Sequence, residues 1–441
     1  METATEADCS GSAEHRQYNV FGGLCQVAAR LSFPGEVTII YLFGKLSGKG
    51  DEKMKATILI DACLDAGIDF FSGVPDSQLK GLCDELYDRF GTDTDRHVVA
   101  HNEGGAMGLC AGHYLATGRP GLCYMQNSGL GNAVNPLASL TDEKVYGLPC
   151  LLVIGWRGEP GVHDEPQHVK QGEITLKQLE ILDIPYFVLN PETEEADFLE
   201  NFGGILAELK AGHCAAIVVR KGALKTDRTP DYQNGRLLKR EEAAEIILEA
   251  MGENDIVVST TGKLSREIFE IRERKGQGHH RDFLTVGSMG HASMIALGIA
   301  AEQTARRVWC LDGDGAVLMH LGALAVVGRR KPTNLIHVVI DNGAHETVGG
   351  MPVCNRELNL SGMAESAGYP KVMTADSAET LRECLNEAVK EQVLTMITVR
   401  CACGARADLG RPTTTPAENR DALMRWLTAL PCKADSQGLK D

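Results

Sequence analysis

The chain has 441 residues, room for two or three domains, with ordinary hydrophobic and charged fractions of 43% and 24%. A net charge of −16 argues against general nucleic-acid or anionic-membrane binding, so an anionic ligand has to be met by local cations. No apolar run reaches membrane-spanning length, Val37–Phe43 being far too short.

Residues 1–53 carry little periodicity and more acids than bases, unlike a mitochondrial transit peptide, and lack a secretory pattern. A disordered leader, a weak targeting segment and upstream sequence before a natural start at Met54 all fit this extension. A clean amphipathic helix is expected over 56–66. From there to residue 222, strand candidates at 70–72, 98–100, 121–125, 150–154, 186–189 and 215–219 alternate with helical stretches. That alternation predicts a doubly wound α/β domain over 54–222. Within it, Asn102-Glu103-Gly104-Gly105 opens a small-residue helix that runs through Ala116. A polar loop, 155–172, follows the strand at 150–154 and carries Arg157, His163, His168 and Lys170. Such a loop after a strand is a natural ligand-contacting loop. Its cations could equally be paired with its own Glu159, Asp164 and Glu165.

Residues 223–237 are polar and turn-rich, with Pro230, Asn234 and Gly235, and read as a linker. A second parallel-sheet α/β unit is expected over 238–405, then a tail, 406–441, with a closing helix over 421–430. The linker is too short to hold a middle domain. Fourteen cysteines form no C-x-x-C pair, and Cys63, Cys83, Cys110, Cys150, Cys214 and Cys310 lie in apolar segments. They read as small buried hydrophobes in a reducing, cytoplasmic compartment.

The second unit holds the most informative run. Val308–Leu311 is a strand candidate ending in Gly313-Asp314-Gly315, 316–327 reads as one helix, and Leu335–Ile340 is a second strand ending in Asp341-Asn342-Gly343. A right-handed crossover makes such strands parallel neighbours. Asp314 and Asn342, 28 positions apart, therefore meet at the carboxyl edge where ligands bind. A carboxylate, an amide oxygen and a main-chain carbonyl, placed at Ala344, form a hard-oxygen half-shell suited to Mg²⁺. Gly313 and Gly315 let a diphosphate approach the backbone. A calcium loop is excluded because Val317 and Ala323 stand where its glycine and bidentate glutamate belong. A plain Asp-Gly turn is the bland alternative.

This Gly-Asp-Gly…Asn spacing resembles the diphosphate-binding motif of thiamine-diphosphate enzymes. The resemblance implies that Glu103 contacts N1′ of the cofactor's aminopyrimidine. Burial, by raising a carboxyl pKa, suits proton sharing there. It also implies that Met289 wedges between the cofactor rings and that the Gly287 carbonyl accepts from the 4′-amino group. In such enzymes the pyrimidine and diphosphate halves face each other across subunits, so a homodimer or higher homo-oligomer with interfacial sites is expected.

Residues 73–77, 124–132, 155–172, 342–346 and 410–416 closely resemble phosphonopyruvate decarboxylases. The likeness spans about 54–430. It implies decarboxylation of 3-phosphonopyruvate through a thiamine diphosphate ylide, in phosphonate biosynthesis. Asp76 and His168 would then handle protons and orient substrate, Arg157 and Lys170 would hold the phosphonate, and Ser77 and Asn127 would line the substrate site. Sulfopyruvate decarboxylase, the same chemistry on a sulfonate, is the nearest alternative. A non-catalytic thiamine-diphosphate-binding subunit is another, disfavoured by the retained Glu103, Asp314 and Asn342.

Overall fold

The structure is a computed structural model and describes residues 54–429; the extension 1–53 lies outside the described residues. The first half forms a six-stranded sheet from β1 (Phe71–Gly73), β2 (His97–Val99), β3 (Gly121–Gln126), β4 (Cys150–Gly155), β5 (Tyr186–Leu189) and β6 (Ala215–Val219). Their order is β2-β1-β3-β4-β6-β5, with every pairing parallel. β4 and β6 are buried along their whole length, as expected of a sheet covered on both faces. Leaving β1, the chain goes to β2 on one side and returns to β3 on the other. The carboxyl ends of β1 and β3 thus flank a topological switch point.

The second half repeats the plan. β7 (Ile256–Ser259), β8 (Asp282–Leu284), β9 (Val308–Gly313) and β10 (Leu335–Asp341) are followed by a short hairpin of β11 (Ala344–His345) and β12 (Met351–Pro352), then β13 (Lys371–Ala375) and β14 (Thr395–Arg400). The parallel order is β13-β14-β10-β9-β7-β8, with the switch between β7 and β9. β9 and β10 are adjacent, as the sequence predicts, with Gly313 opposite Ile340. One expectation changes. The single helix over 316–327 is two pieces, Asp314–Met319 and Ala323–Arg330, because His320 leaves helical geometry at φ −130°, ψ 52°.

The connection between the halves is polar but tightly held. Tyr232 joins the first core, and its hydroxyl donates to Asp84 at 2.8 Å. Asn234 donates to the carbonyls of Asn342 at 2.7 Å and Cys401 at 2.9 Å. Arg356 reaches back to the Tyr232 carbonyl at 2.6 Å. The closing helix starts earlier than expected, at Pro416. Its entry is a capping box in which the Glu418 N–H donates to Thr415 Oγ1 and Glu418 Oε2 accepts from the Thr415 N–H. Asn419 then docks it on β8 by accepting from the Leu284 N–H and donating to the Asp282 carbonyl.

Under that helix lies a fully buried ion pair. Arg272 donates from Nε and Nη2 to the two carboxylate oxygens of Asp282, at 3.1 and 2.9 Å. Removing one partner strands the other charge in the core. Asp282→Ala should therefore cost about 3–5 kcal/mol, read as a lower urea midpoint, whereas Arg272→Met/Asp282→Leu should recover most of it. A small loss for the single variant would show that water reaches the guanidinium.

Among the described residues, no helix is long and apolar enough to cross a membrane. The described cysteines are all free, and the six in apolar segments are buried.

Candidate active site

The carboxyl edges of the two sheets face one cavity of about 600 Å³. From the first half come Val74 and Pro75 after β1, Glu103 after β2, Gln126, Ser128, Gly129 and Asn132 at the end of β3, and Arg157 and His168 after β4. From the second come the segment after β7, the Gly287–Met289 turn after β8, Gly313 to Ala316 after β9, and Asn342, Ala344 and His345 after β10. Parallel topology is what gathers them, because every strand of each sheet ends on the same side. One chain supplies both halves of this cavity.

Glu103 opens the helix Glu103–Thr117, whose cap is Asn102 accepting from the Gly105 N–H at 2.7 Å. The Asn102 amide also donates to the Met319 carbonyl at 3.2 Å, tying this helix start to the second half. The Glu103 carboxyl is buried. Asn132 donates to Oε2 at 2.7 Å, and a Cβ on Gly129 would meet Oε1 at 2.4 Å. Only glycine allows that approach. Burial raises the Glu103 pKa, and the Asn132 hydrogen bond partly opposes it.

Asp314 is buried at the opposite wall, where its oxygens accept from the Gly315 N–H at 2.8 Å and the Gly343 N–H at 2.6 Å. Burial, and then the charge of Asp341, lift its pKa well above the usual carboxylate range. Asn342 Oδ1 accepts from the Ala344 N–H at 3.2 Å, so Asp314, Asn342 and Ala344 are knitted into one turn. A buried anion of this kind, beside an amide oxygen and a main-chain carbonyl, fits a hard divalent cation. Between the two ends, Gly287, Ser288 and Gly290 all have positive φ, of 71°, 49° and 86°. This tight turn sets Met289 on the cavity wall, and the Gly287 N–H donates to Thr261 Oγ1 at 2.9 Å.

The substrate-side residues are arranged differently from the expectation. Arg157 is not a free cation. Its Nε and Nη2 donate to the two oxygens of Asp164, and Nη1 donates to Ser77 Oγ at 2.8 Å. This bidentate pair holds the Asp164 pKa well below the carboxylate range, against the cost of burial. Lys170 does not line the cavity; its side chain is 78% exposed and pairs with Glu173 at 3.1 Å. Asn127 is scaffold. It donates to the Arg157 carbonyl and to Thr175 Oγ1, and accepts from the Arg157 N–H. Ser77 faces a smaller neighbouring cavity with Lys80, Arg157 and Lys221. Asp76 is fully buried behind Gln126, whose amide donates to Asp76 Oδ1 at 2.5 Å; Gln126 is the one that reaches the cavity. Burial raises the Asp76 pKa, while Gln126 and the charge of Arg157 hold it down.

His168 does line the cavity. Burial, then Arg157, lower its pKa to about 4, so its ring is neutral near pH 7. Nε2 lies 3.3 Å from the Gln167 amide nitrogen, and accepting there leaves the hydrogen on Nδ1, which is buried without a partner. Gln167 Oε1 is likewise unpartnered, and a buried donor and acceptor left open beside a cavity fit a polar ligand.

Sequence reasoning missed Thr260, Thr261, Gly262 and Lys263, which line the cavity after β7. The available signal was a β-branched run, Ile256–Ser259, ending in a glycine turn ahead of the helix Lys263–Arg274. Glu346, which closes the segment 342–346, is a further residue of this wall. In the structure its Oε2 accepts from the Asn342 amide at 3.2 Å and the Gly404 N–H at 2.8 Å.

Residues 54–181 match the family described as thiamine pyrophosphate enzyme, N-terminal TPP binding domain, and residues 260–399 match its C-terminal TPP binding domain. A phosphonopyruvate decarboxylase of Streptomyces viridochromogenes is 33% identical over 393 residues, 85% of this chain and 96% of that relative. One from Streptomyces hygroscopicus is 34% identical over 368 residues, 80% and 88% of the two chains. A sulfopyruvate decarboxylase of Methanosarcina acetivorans is 27% identical over 365 residues, 77% and 89% of the two.

Proposed function

The chain belongs to the thiamine-diphosphate-dependent decarboxylases, and from that premise we propose that it converts 3-phosphonopyruvate into phosphonoacetaldehyde and CO₂, a step of phosphonate biosynthesis. The observation that carries this reading is the single cavity joining the buried carboxyl of Glu103 to the Asp314–Asn342 turn. When bound, thiamine diphosphate supplies a nucleophilic carbon and an electron sink for the pair released as the carboxylate leaves. Asp314, Asn342 and the Ala344 carbonyl would hold Mg²⁺, which would supply positive charge to offset the diphosphate. Gly313 and Gly315 would leave room for the diphosphate beside that turn, while Gly287 and Met289 would bear on the cofactor rings. Glu103 holds a proton at its carboxyl for the aminopyrimidine, a task suited to its burial. His168, neutral with an open Nδ1–H, would orient the substrate by donating a hydrogen bond to it. Asp76 acts through Gln126 rather than by direct contact.

In this reading the enzyme works in a reducing, cytoplasmic compartment, in keeping with its free cysteines. It is also a homo-oligomer. The family resemblance, in which the pyrimidine and diphosphate halves face each other across subunits, supports association with a second copy.

The test is a panel of 2-oxo acids with thiamine diphosphate and Mg²⁺ present. The expected order of kcat/KM is phosphonopyruvate, then sulfopyruvate, then pyruvate, because the phosphonate carries up to two negative charges, the sulfonate one and the methyl none. A preference for sulfopyruvate would transfer the function to that reaction. No CO₂ release from any of the three would leave a binding subunit.

A further inference from the structure

We infer that Lys263 is the cation that receives the anionic group on C3 of the substrate, and so sets the preference for phosphonopyruvate over pyruvate. This rests on the reading above that the substrate is a 2-oxo acid with an anion at C3. Among the described residues, the positive charges that line the cavity, apart from histidines, are those of Arg157, Arg240 and Lys263. Arg157 is spent on Asp164 and Ser77. Arg240 is spent on Glu267, with Nε and Nη2 each 2.7 Å from a carboxylate oxygen, and both residues are buried. Breaking either bidentate pair to bind a ligand would strand a carboxylate in a poorly hydrated place.

Lys263 differs from both. Its ammonium has one long contact, 3.4 Å to Glu346 Oε1, and its side chain keeps 28% of its exposure. Glu346 is itself shared, with Asn342, Gly404 and, at 3.9 Å, Arg240. Moving Lys263 onto a ligand therefore leaves Glu346 with partners. A flexible ammonium can follow a phosphonate, where a clamped guanidinium cannot.

The fold also puts it in a suitable place. Lys263 begins the helix after β7, and β7 lies between β8 and β9 in the sheet. It thus stands between the turn that carries Met289 and the turn that carries Asp314. Gly262, just before the helix, has φ 105°, a conformation that strains any L side chain, and a Cβ there would also meet Thr347 Oγ1 at 2.6 Å. With a chain charge of −16, this local cation is what offsets the repulsion a phosphonate would meet.

The test uses the full chain loaded with thiamine diphosphate and Mg²⁺, comparing Lys263→Met and Lys263→Arg with the natural protein. Lys263→Met should lower the ratio of kcat/KM for phosphonopyruvate to that for pyruvate by ~10- to 100-fold, mostly through KM. Lys263→Arg, which keeps the charge, should restore most of the ratio. Calorimetry with phosphonoacetate as the probe should show binding to the natural holoenzyme and ~10-fold or greater weakening in Lys263→Met. Thiamine diphosphate affinity should stay within a few-fold in both variants. An unchanged ratio with unchanged phosphonoacetate binding would overturn the inference. So would a fall in thiamine diphosphate affinity with equal losses on both substrates, which would make Lys263 an anchor for the cofactor's diphosphate. Failure of the functional reading looks different. The natural enzyme would then turn over no phosphonopyruvate, and phosphonoacetate binding alone would decide on Lys263.

Discussion

Asp314→Ala is expected to abolish retention of thiamine diphosphate at ordinary concentrations. On the reading proposed above, the cofactor's diphosphate would enter a strongly negative chain near Asp314, so its charge would be met by a divalent cation. Asp314 is the only carboxylate among the three oxygen donors assigned to that cation. Changes one shell further out typically cost metal sites 10- to 100-fold, so loss of the charged ligand should weaken the cofactor by more than ~100-fold. Calorimetry with excess Mg²⁺ measures this, and chelation of the natural protein with EDTA should reproduce it. The substitution also removes the acceptor for the Gly315 and Gly343 N–H groups, a cost of about 1–3 kcal/mol for each group left unpaired. Asp314→Asn keeps one acceptor and is the control for folding. It should melt closer to the natural protein and still lose the cofactor. Unchanged affinity in either variant would show that the cation, if present, is held elsewhere.

The residues that sequence reading placed well share one property: their position follows from chain direction alone. Asp314 and Asn342 end adjacent parallel strands, and Glu103 ends the connection from another, so topology delivers them to one edge whatever their side chains touch. Strand limits came close for the same reason. Short apolar runs bounded by glycine leave little freedom, and the run 186–189 matches β5 residue for residue. The substrate residues are less legible because their roles depend on pairing through space. In sequence Arg157 has acids at 159, 164 and 165, and only the fold shows that Asp164 takes its guanidinium while Glu159 goes to Arg220. Lys170 sits in the same loop but on the solvent side of the helix Pro166–Ile181, one turn from Glu173. Asn127, beside a cavity residue, turns inward to brace Arg157. Lys263 was invisible for the converse reason. A lysine at a helix start looks like surface charge until β7 is found between β8 and β9.

The second large effect concerns Glu103→Gln. The glutamine has the size of the acid it replaces and can still accept from Asn132, so the helix start and the Gly129 contact should survive. Cofactor affinity should therefore change only a few-fold. What is lost is the exchangeable proton. The Glu103 carboxyl is buried, with its pKa raised by that burial, and can share a proton with a ring nitrogen; an amide cannot. Loss of a positioned acid–base group typically costs 10²- to 10⁴-fold, and exchange of the thiazolium C2 hydrogen should slow by about that much. Exchange in D₂O, followed by NMR on acid-quenched samples, reads this step apart from substrate binding. It therefore also separates Glu103 from Lys263, whose replacement should leave the exchange rate as it is. Glu103→Asp should recover part of the exchange, because it restores the carboxyl but shortens its reach across Gly129. If the glutamine variant exchanges at the natural rate with cofactor bound, Glu103 does no acid–base work. The buried pair with Asn132 would then be a structural brace for the helix start.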